Sequence, residues 1–169
     1  EPTFSGLQLI GNRATYEGGG IYMYDDAISS FTDVMIINNT ARYEGGGVYT
    51  QRRANVTFNH LTAFGNTAID TMQNTGNSSK GGFLYSYPDD NKEGCQHIIK
   101  NSILWNNTPE EVYIEEYSGE EHQFWENTIL DLSYSNIQFG QDNFSAYKTD
   151  VIWQEGNIDS DPLFCNWSS

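Results

Sequence analysis

Tyr16-Glu17-Gly18-Gly19-Gly20-Ile21-Tyr22 returns as Tyr43-Glu44-Gly45-Gly46-Gly47-Val48-Tyr49, displaced by 27 residues. A second landmark recurs beside it: two apolar residues, a Gly or Asn, then an Asn. It reads Leu9-Ile10-Gly11-Asn12, Ile36-Ile37-Asn38-Asn39, Ala63-Phe64-Gly65-Asn66 and Leu104-Trp105-Asn106-Asn107, with the final Asn residues spaced 27, 27 and 41 apart. Self-similarity at a fixed period marks a repeat architecture, in which one unit cannot bury its own apolar face and must stack on the next.

The long third interval resolves into two additions. With Gly81 aligned to Gly19 and Gly46, eight extra residues precede it and six follow it. They fall near Ala68–Lys80 and Pro88–Gly94, which are polar and rich in turn formers. Surface loops absorb such length at small entropic cost.

Counting back from each landmark Asn, the eighth residue is Phe4, Phe31, Phe58 and Ile99, and the third is Leu9, Ile36, Ala63 and Leu104. The fifth is Leu7, Val34, Leu61 and Ser102, with mixed residues between the fifth and the third. Such alternation reads as a strand with one buried face. Ile21, Val48 and Phe83 are read as starting a second strand after each glycine cluster. Asn tolerates left-handed backbone at a tight bend, and its amide can bond to the Asn of the next unit. Glycine triplets and the lack of a 3.6-residue period exclude helical repeats. The expected fold is all-β, a right-handed single-stranded parallel β-helix of about five to six coils, each of about 27 residues. It is read as one domain over 1–169, regular over about 4–107 and irregular, with a cap-like region, over about 108–169. Glu110–Gln123, dense in Glu, is expected to leave the coil as an exposed excursion or to cap an edge.

The chain carries 23 acidic and 8 basic residues, a net charge of -15. That field repels phosphate backbones and anionic lipid surfaces, which argues against nucleic acid or membrane-surface partners. No apolar run reaches the roughly 18 residues of a membrane span, so membrane insertion is not expected. Aromatic residues at 14% favour a packed structure over a disordered acidic tail. Six Asn-x-Ser/Thr sequons occur, at Asn38, Asn55, Asn77, Asn106, Asn143 and Asn166. Composition alone gives roughly three, so the excess supports an exported, glycosylated chain at the cell surface or beyond it.

The Gly-Gly-x-Ile/Val-Tyr cluster alternating with apolar-x-Asn is similar to the repeats of chlamydial polymorphic outer-membrane proteins. Asn101-Ser102-Ile103-Leu104-Trp105-Asn106-Asn107-Thr108-Pro109 resembles a strand-and-turn of secreted bacterial β-helix proteins. So does the close, Tyr134-Ser135-Asn136-Ile137-Gln138 followed by Gly156-Asn157-Ile158-Asp159-Ser160-Asp161-Pro162-Leu163-Phe164. The resemblance covers most of Phe4 to Phe164 and implies the β-helix fold. Its members range from adhesins to polysaccharide lyases, so fold alone does not choose an activity.

Tyr22 and Tyr49 hold equivalent positions and could bind sugar rings as an aromatic platform, or form a ladder that stabilises the sheet. Leu84 is expected to follow them and shorten that platform. Cys95 and Cys165 allow one disulfide, which would clip the last coil and an insertion to the stack, worth roughly 2–4 kcal/mol. Asp159 and Asp161 are candidate Ca²⁺ ligands, with a turn at Asp161-Pro162 as the plainer account; no other cofactor is suggested. Asp25-Asp26 and Asp89-Asp90 read as solvated turns, Arg13 and Arg42 as partners of Glu17 or Glu44, and His60, His97 and His122 as unrelated positions. No residue is assigned a catalytic role.

The expected function is a non-enzymatic extracellular structural or adhesive module. No amphipathic helix precedes Phe4-Ser5-Gly6-Leu7, so the first coil is expected to present an open edge. Its partners would then be itself, stacked end to end into a filament, or cell-surface glycans. The alternative is a polysaccharide-binding or polysaccharide-cleaving protein, which needs acidic and aromatic residues gathered along one sheet.

Overall fold

The computed structural model describes residues 1–69, 79–88, 94–115, 128–146 and 149–164. It is all-β, with every strand pairing parallel. The first sheet holds β1 (Thr3–Ser5), β2 (Gln8–Ile10), β5 (Ile28–Ile37), β8 (Asn55–Phe64), β11 (Gln96–Lys100), β12 (Ile103–Trp105), β14 (Thr128–Ser133), β15 (Asn136–Ile137) and β17 (Thr149–Trp153). The second holds β4 (Ile21–Tyr24), β7 (Val48–Gln51), β10 (Leu84–Tyr87), β13 (Val112–Ile114) and β16 (Phe144–Ala146). The third is small: β3 (Arg13–Ala14), β6 (Thr40–Ala41) and β9 (Thr67–Ala68). No helix among the described residues is long and apolar enough to cross a membrane.

The register explains the repeat. Phe4, Phe31, Phe58, Ile99, Leu132 and Trp153 are successive partners in the first sheet, as are Leu9, Ile36, Ala63, Leu104 and Ile137. Ile21, Val48, Leu84, Val112 and Phe144 form the matching column of the second sheet. These columns meet in a single cluster of buried apolar side chains. Each fully buried Leu, Ile or Phe contributes about 2 kcal/mol. Because alternate residues of a strand point to opposite faces, the neighbours of each inward residue are delivered outward.

The landmark Asn residues form a buried hydrogen-bonded column, as the repeat suggests. Asn66 Oδ1 accepts from the backbone N–H and the side-chain Nδ2 of Asn39, at 3.0 and 2.9 Å. Asn107 Oδ1 accepts the same pair from Asn66, both at 2.8 Å. Asn66 Nδ2 also donates to the carbonyl of Ile36, and Asn107 Nδ2 to that of Ala63. The two roles expected of one Asn are divided, however. The left-handed backbone belongs to the residue before it, at Asn38 (φ 53°) and Asn106 (φ 59°), and to the glycines at the same position.

The glycine cluster serves close approach. A Cβ at Gly46 would stand 2.5 Å from the backbone of Thr67 and 2.6 Å from the carbonyl oxygen of Gly82. No side chain fits between those units.

The structure departs from the sequence-based expectation at two places. Val48 pairs with Leu84, not Phe83, because Gly81 and Gly82 answer Gly45 and Gly46 while Phe83 takes the place of Gly47. One inserted residue therefore moves from the second addition to the first. Phe83 turns inward and packs edge-on against Phe58, at 5.8 Å between ring centroids. Secondly, the excursion expected over Glu110–Gln123 does not begin at Glu110. Val112–Ile114 stays in the second sheet, and Glu111 is buried, its carboxylate accepting from Asn107 at the end of the Asn column. The remainder of that stretch, from Glu116, lies outside the described residues.

Candidate functional site

The outward residues of the second sheet form a column of tyrosines. Tyr22 pairs with Tyr49, Tyr49 with Tyr85, and Tyr85 with Tyr113. Their rings stack at 5.0, 5.2 and 5.7 Å between centroids, all within 15° of parallel. Tyr85 therefore stands where Leu84 was expected, and the column is four rings long rather than two. Stacking covers the inner rings: Tyr49 is 6% and Tyr85 3% exposed, against 50% for Tyr22. The ladder reading of Tyr22 and Tyr49 thus describes their packing, and the ring faces of Tyr49 are turned to its neighbours.

Beside this column lies a groove of about 380 Å³, lined by Glu44, Tyr49, Gln51, Lys80, Tyr85, Tyr87 and Glu115. Glu44 and Lys80 are joined by a parallel backbone bridge, which sets their side chains on one edge of the tyrosines. Gln51 and Tyr87, cross-strand partners, line the other. Glu115, directly after β13, ties the two edges together. Its carboxylate accepts from Lys80 Nζ at 2.7 and 3.1 Å and from the Tyr85 hydroxyl at 2.8 Å. The Lys80 ammonium also lies 4.6 Å from the centroid of the Tyr113 ring, a cation–π contact. Tyr49 donates its hydroxyl to Gln51 Oε1 at 3.3 Å.

Burial controls the electrostatics. It pushes the Glu44 carboxyl up to about 7, with further help from the charge of Glu17 in the preceding unit. Burial and the neighbouring carboxylates raise the Tyr49 and Tyr85 hydroxyls well above their ordinary range, so both remain donors at any physiological pH. Burial alone would lower Lys80, but Glu115 and Tyr113 outweigh it and hold the ammonium charged. The groove thus offers hydroxyl donors, one paired ammonium, an amide, and a carboxyl that titrates near neutrality.

Glu17 and Glu44 were visible as repeat equivalents; Lys80 and Glu115 were not. Lys80 closes the first insertion, and Glu115 comes from the stretch expected to leave the sheet.

The other expected sites are dispersed. Asn38 and Asn106 are exposed at equivalent left-handed corners of the first sheet. Asn55 is half-buried, and its Oδ1 accepts the Gln96 N–H at 2.7 Å. Asn143 is half-buried at the end of a 3-10 turn, Gly140–Asn143. Asn77 and Asn166 lie outside the described residues. Cys95 is fully buried, and its expected partner Cys165 lies outside the described residues. Asp159 and Asp161 are exposed, and Asp161 Oδ1 accepts the Leu163 N–H in a turn. Among the described residues, no three His, Cys, Asp or Glu side chains gather as metal ligands do.

Asp25-Asp26 forms a left-handed turn in which Asp26 is bound by Arg53 of the next unit, Nε and Nη2 each at 2.6 Å. Asp89-Asp90 and His122 lie outside the described residues. His97 is wholly buried, with Nε2 at 2.9 Å from Ser86 Oγ and 3.4 Å from Thr50 Oγ1. Burial lowers it to about 4, so it is a neutral core residue closed to any substrate. Arg42 does not take Glu44 as its partner; its guanidinium lies 5.1 Å from the centroid of the Tyr43 ring.

No protein-family model matches the chain, and no curated protein or solved structure matches it either.

Proposed function

We propose that the three parallel sheets wind as a right-handed single-stranded β-helix of about five to six coils, and that the chain is a non-enzymatic extracellular adhesive module of this type. Its glycan contact is the groove beside the tyrosine column. The single observation that carries this is the gathering of Glu44, Gln51, Lys80, Tyr85, Tyr87 and Glu115 around one polar concavity. Carboxylates, an amide and phenol hydroxyls suit the vicinal hydroxyls of a sugar, while aromatic edges contact its C–H surface. The excess of acid over base selects neutral glycans over polyuronates. Exposed Asn38 and Asn106 agree with an exported, glycosylated chain.

The test is calorimetric titration with neutral and with acidic oligosaccharides, alongside a reducing-end assay. The reading expects saturable binding of a neutral oligomer, at least tenfold weakened by Glu115→Gln, and no cleavage. Binding of polyuronates alone, or binding unchanged in Glu115→Gln, would overturn it. Release of new reducing ends would instead move the groove to hydrolysis, with the Glu44 carboxyl as the proton donor.

A structural role by end-to-end stacking is the second reading. Phe4, Ile10 and Tyr22, on the edge formed by β1 to β4, continue columns that are buried one unit further on, and that edge suits pairing with another unit, of the same chain or of a second copy. Electron microscopy of purified protein separates the cases: polymers with a regular axial repeat support stacking between copies, and isolated short particles exclude it.

A further inference from the structure

The third sheet carries a second concavity, chemically opposite to the first. It measures about 480 Å³ and is lined by Arg13, Ala14, Thr15, Thr40, Ala41, Arg42 and Ile69. Arg13 pairs with Thr40 and Ala14 with Ala41, so Thr15 stands beside Arg42 in the same way. Alternate residues share a face. The two arginines are therefore diagonal neighbours on adjacent strands, each with a threonine next to it, while Ala14 and the buried Ala41 turn to the opposite face.

Three features distinguish this groove from a solvated face. The chain has 23 acidic residues for 8 basic ones, yet among the described residues no carboxylate lines it. Among the described residues, neither Arg13 nor Arg42 has a carboxylate within ion-pair distance, while Arg53 and Lys80 each do. The Arg42 guanidinium is held against the Tyr43 ring, and its Nε–H is buried with no acceptor. A fixed, unpaired guanidinium with hydroxyls beside it is a receptor for an oxyanion, and its planar fork matches a carboxylate bidentately.

The geometry points to a binding site for a carboxylate-bearing ligand about the size of one sugar ring. The carboxylate lies between Arg13 and Arg42, the ring hydroxyls meet Thr15 and Thr40, and the apolar side of the ring covers Ile69, which is exposed. This site is independent of the glycan reading of the tyrosine groove. The two stand on different sheets, with opposite charge preference.

The experiment is calorimetric titration of the full chain with glucuronate, glucose and glucose 6-sulfate. Glucuronate binds saturably at low salt and glucose does not. Arg13→Gln, a change at an exposed side chain, weakens glucuronate at least tenfold. Arg42→Lys, which keeps the charge but loses the fork, also weakens it, while Glu115→Gln leaves it unchanged. Equal binding of glucose and glucuronate, or no effect of Arg13→Gln, overturns the site. Tighter binding of the sulfate ester than of glucuronate overturns the carboxylate assignment.

Discussion

Two sets of polar contacts run at the same 27-residue offset, one inside the molecule and one outside. Inside, Asn39 and Asn66 are joined at 2.9 Å; outside, Arg53 and Asp26 meet at 2.6 Å and His60 and Asp33 at 3.1 Å. By distance the outer contacts are comparable, and one is a charged pair. Their surroundings differ: Asn39 and Asn66 have no exposed surface, whereas the Asp26 side chain is 63% exposed. Water replaces the outer bonds when they break and cannot reach the inner ones. The register places both sets, and burial decides what each is worth.

The largest effect should come from Asn66→Ala. It removes acceptors for the Asn39 N–H and Nδ2 and donors to Ile36 and Asn107, all of them buried. Several unsatisfied groups at once cost about 4 kcal/mol, measured by urea unfolding.

pH sharpens the same contrast. His97 has its pKa depressed to about 4 by burial, so the unfolded chain binds its proton first. Stability should fall as pH drops from about 6.5 towards 4, by up to about 3 kcal/mol, and a neutral replacement such as His97→Gln should flatten that fall. Glu111 acts with the opposite sign. Its pKa is raised to about 8, chiefly by burial, against the opposing hydrogen bonds from Asn107. The stability that its protonated form contributes is complete below the ordinary carboxyl range and is lost as pH rises towards 8. Glu111→Gln should remove that alkaline decline in a pH series of thermal melts.

Asn12→Ala tests the comparison within one column. Asn12 is exposed and donates to Asn39 Oδ1 at its edge, so its loss should cost about 1 kcal/mol, well below Asn66→Ala. Smallest of all is Asp26→Ala. Arg53 holds the Asp26 carboxyl below its usual range, but with most of the side chain in solvent. Its melting temperature should match that of the unmodified chain within error. A large drop there would show that register, not burial, sets the worth of a contact.

The repeat made the parallel columns legible because apolar alternation and the Asn landmark survive in each unit from Phe4 to Asn107. What escaped the sequence lies where a unit breaks the pattern. Phe83 replaces a glycine, so counting from the cluster displaced the strand by one residue and hid Tyr85 from the tyrosine column. Glu111 and Glu115 looked like parts of a charged excursion because composition does not report which acid is buried or paired. The tyrosine groove was legible only in part, since Lys80 and Glu115 reach it through pairings that no fixed spacing announces. The expected pairing of Arg42 with Glu44, two residues on, does not form, because Arg42 turns to the ring of Tyr43 instead.

The most direct test of the whole account is the register itself. Ser30 and Thr57 are partners across β5 and β8, while Asn59 lies two residues further along. Neighbouring parallel strands stand about 4.8 Å apart, within the Cα range of a disulfide. Under mild oxidation the Ser30→Cys/Thr57→Cys chain should form a bridge between those positions, identified by peptide mapping, and Ser30→Cys/Asn59→Cys should not. Equal bridging in both, or bridging only in the second, would contradict the 27-residue stacking on which both grooves depend.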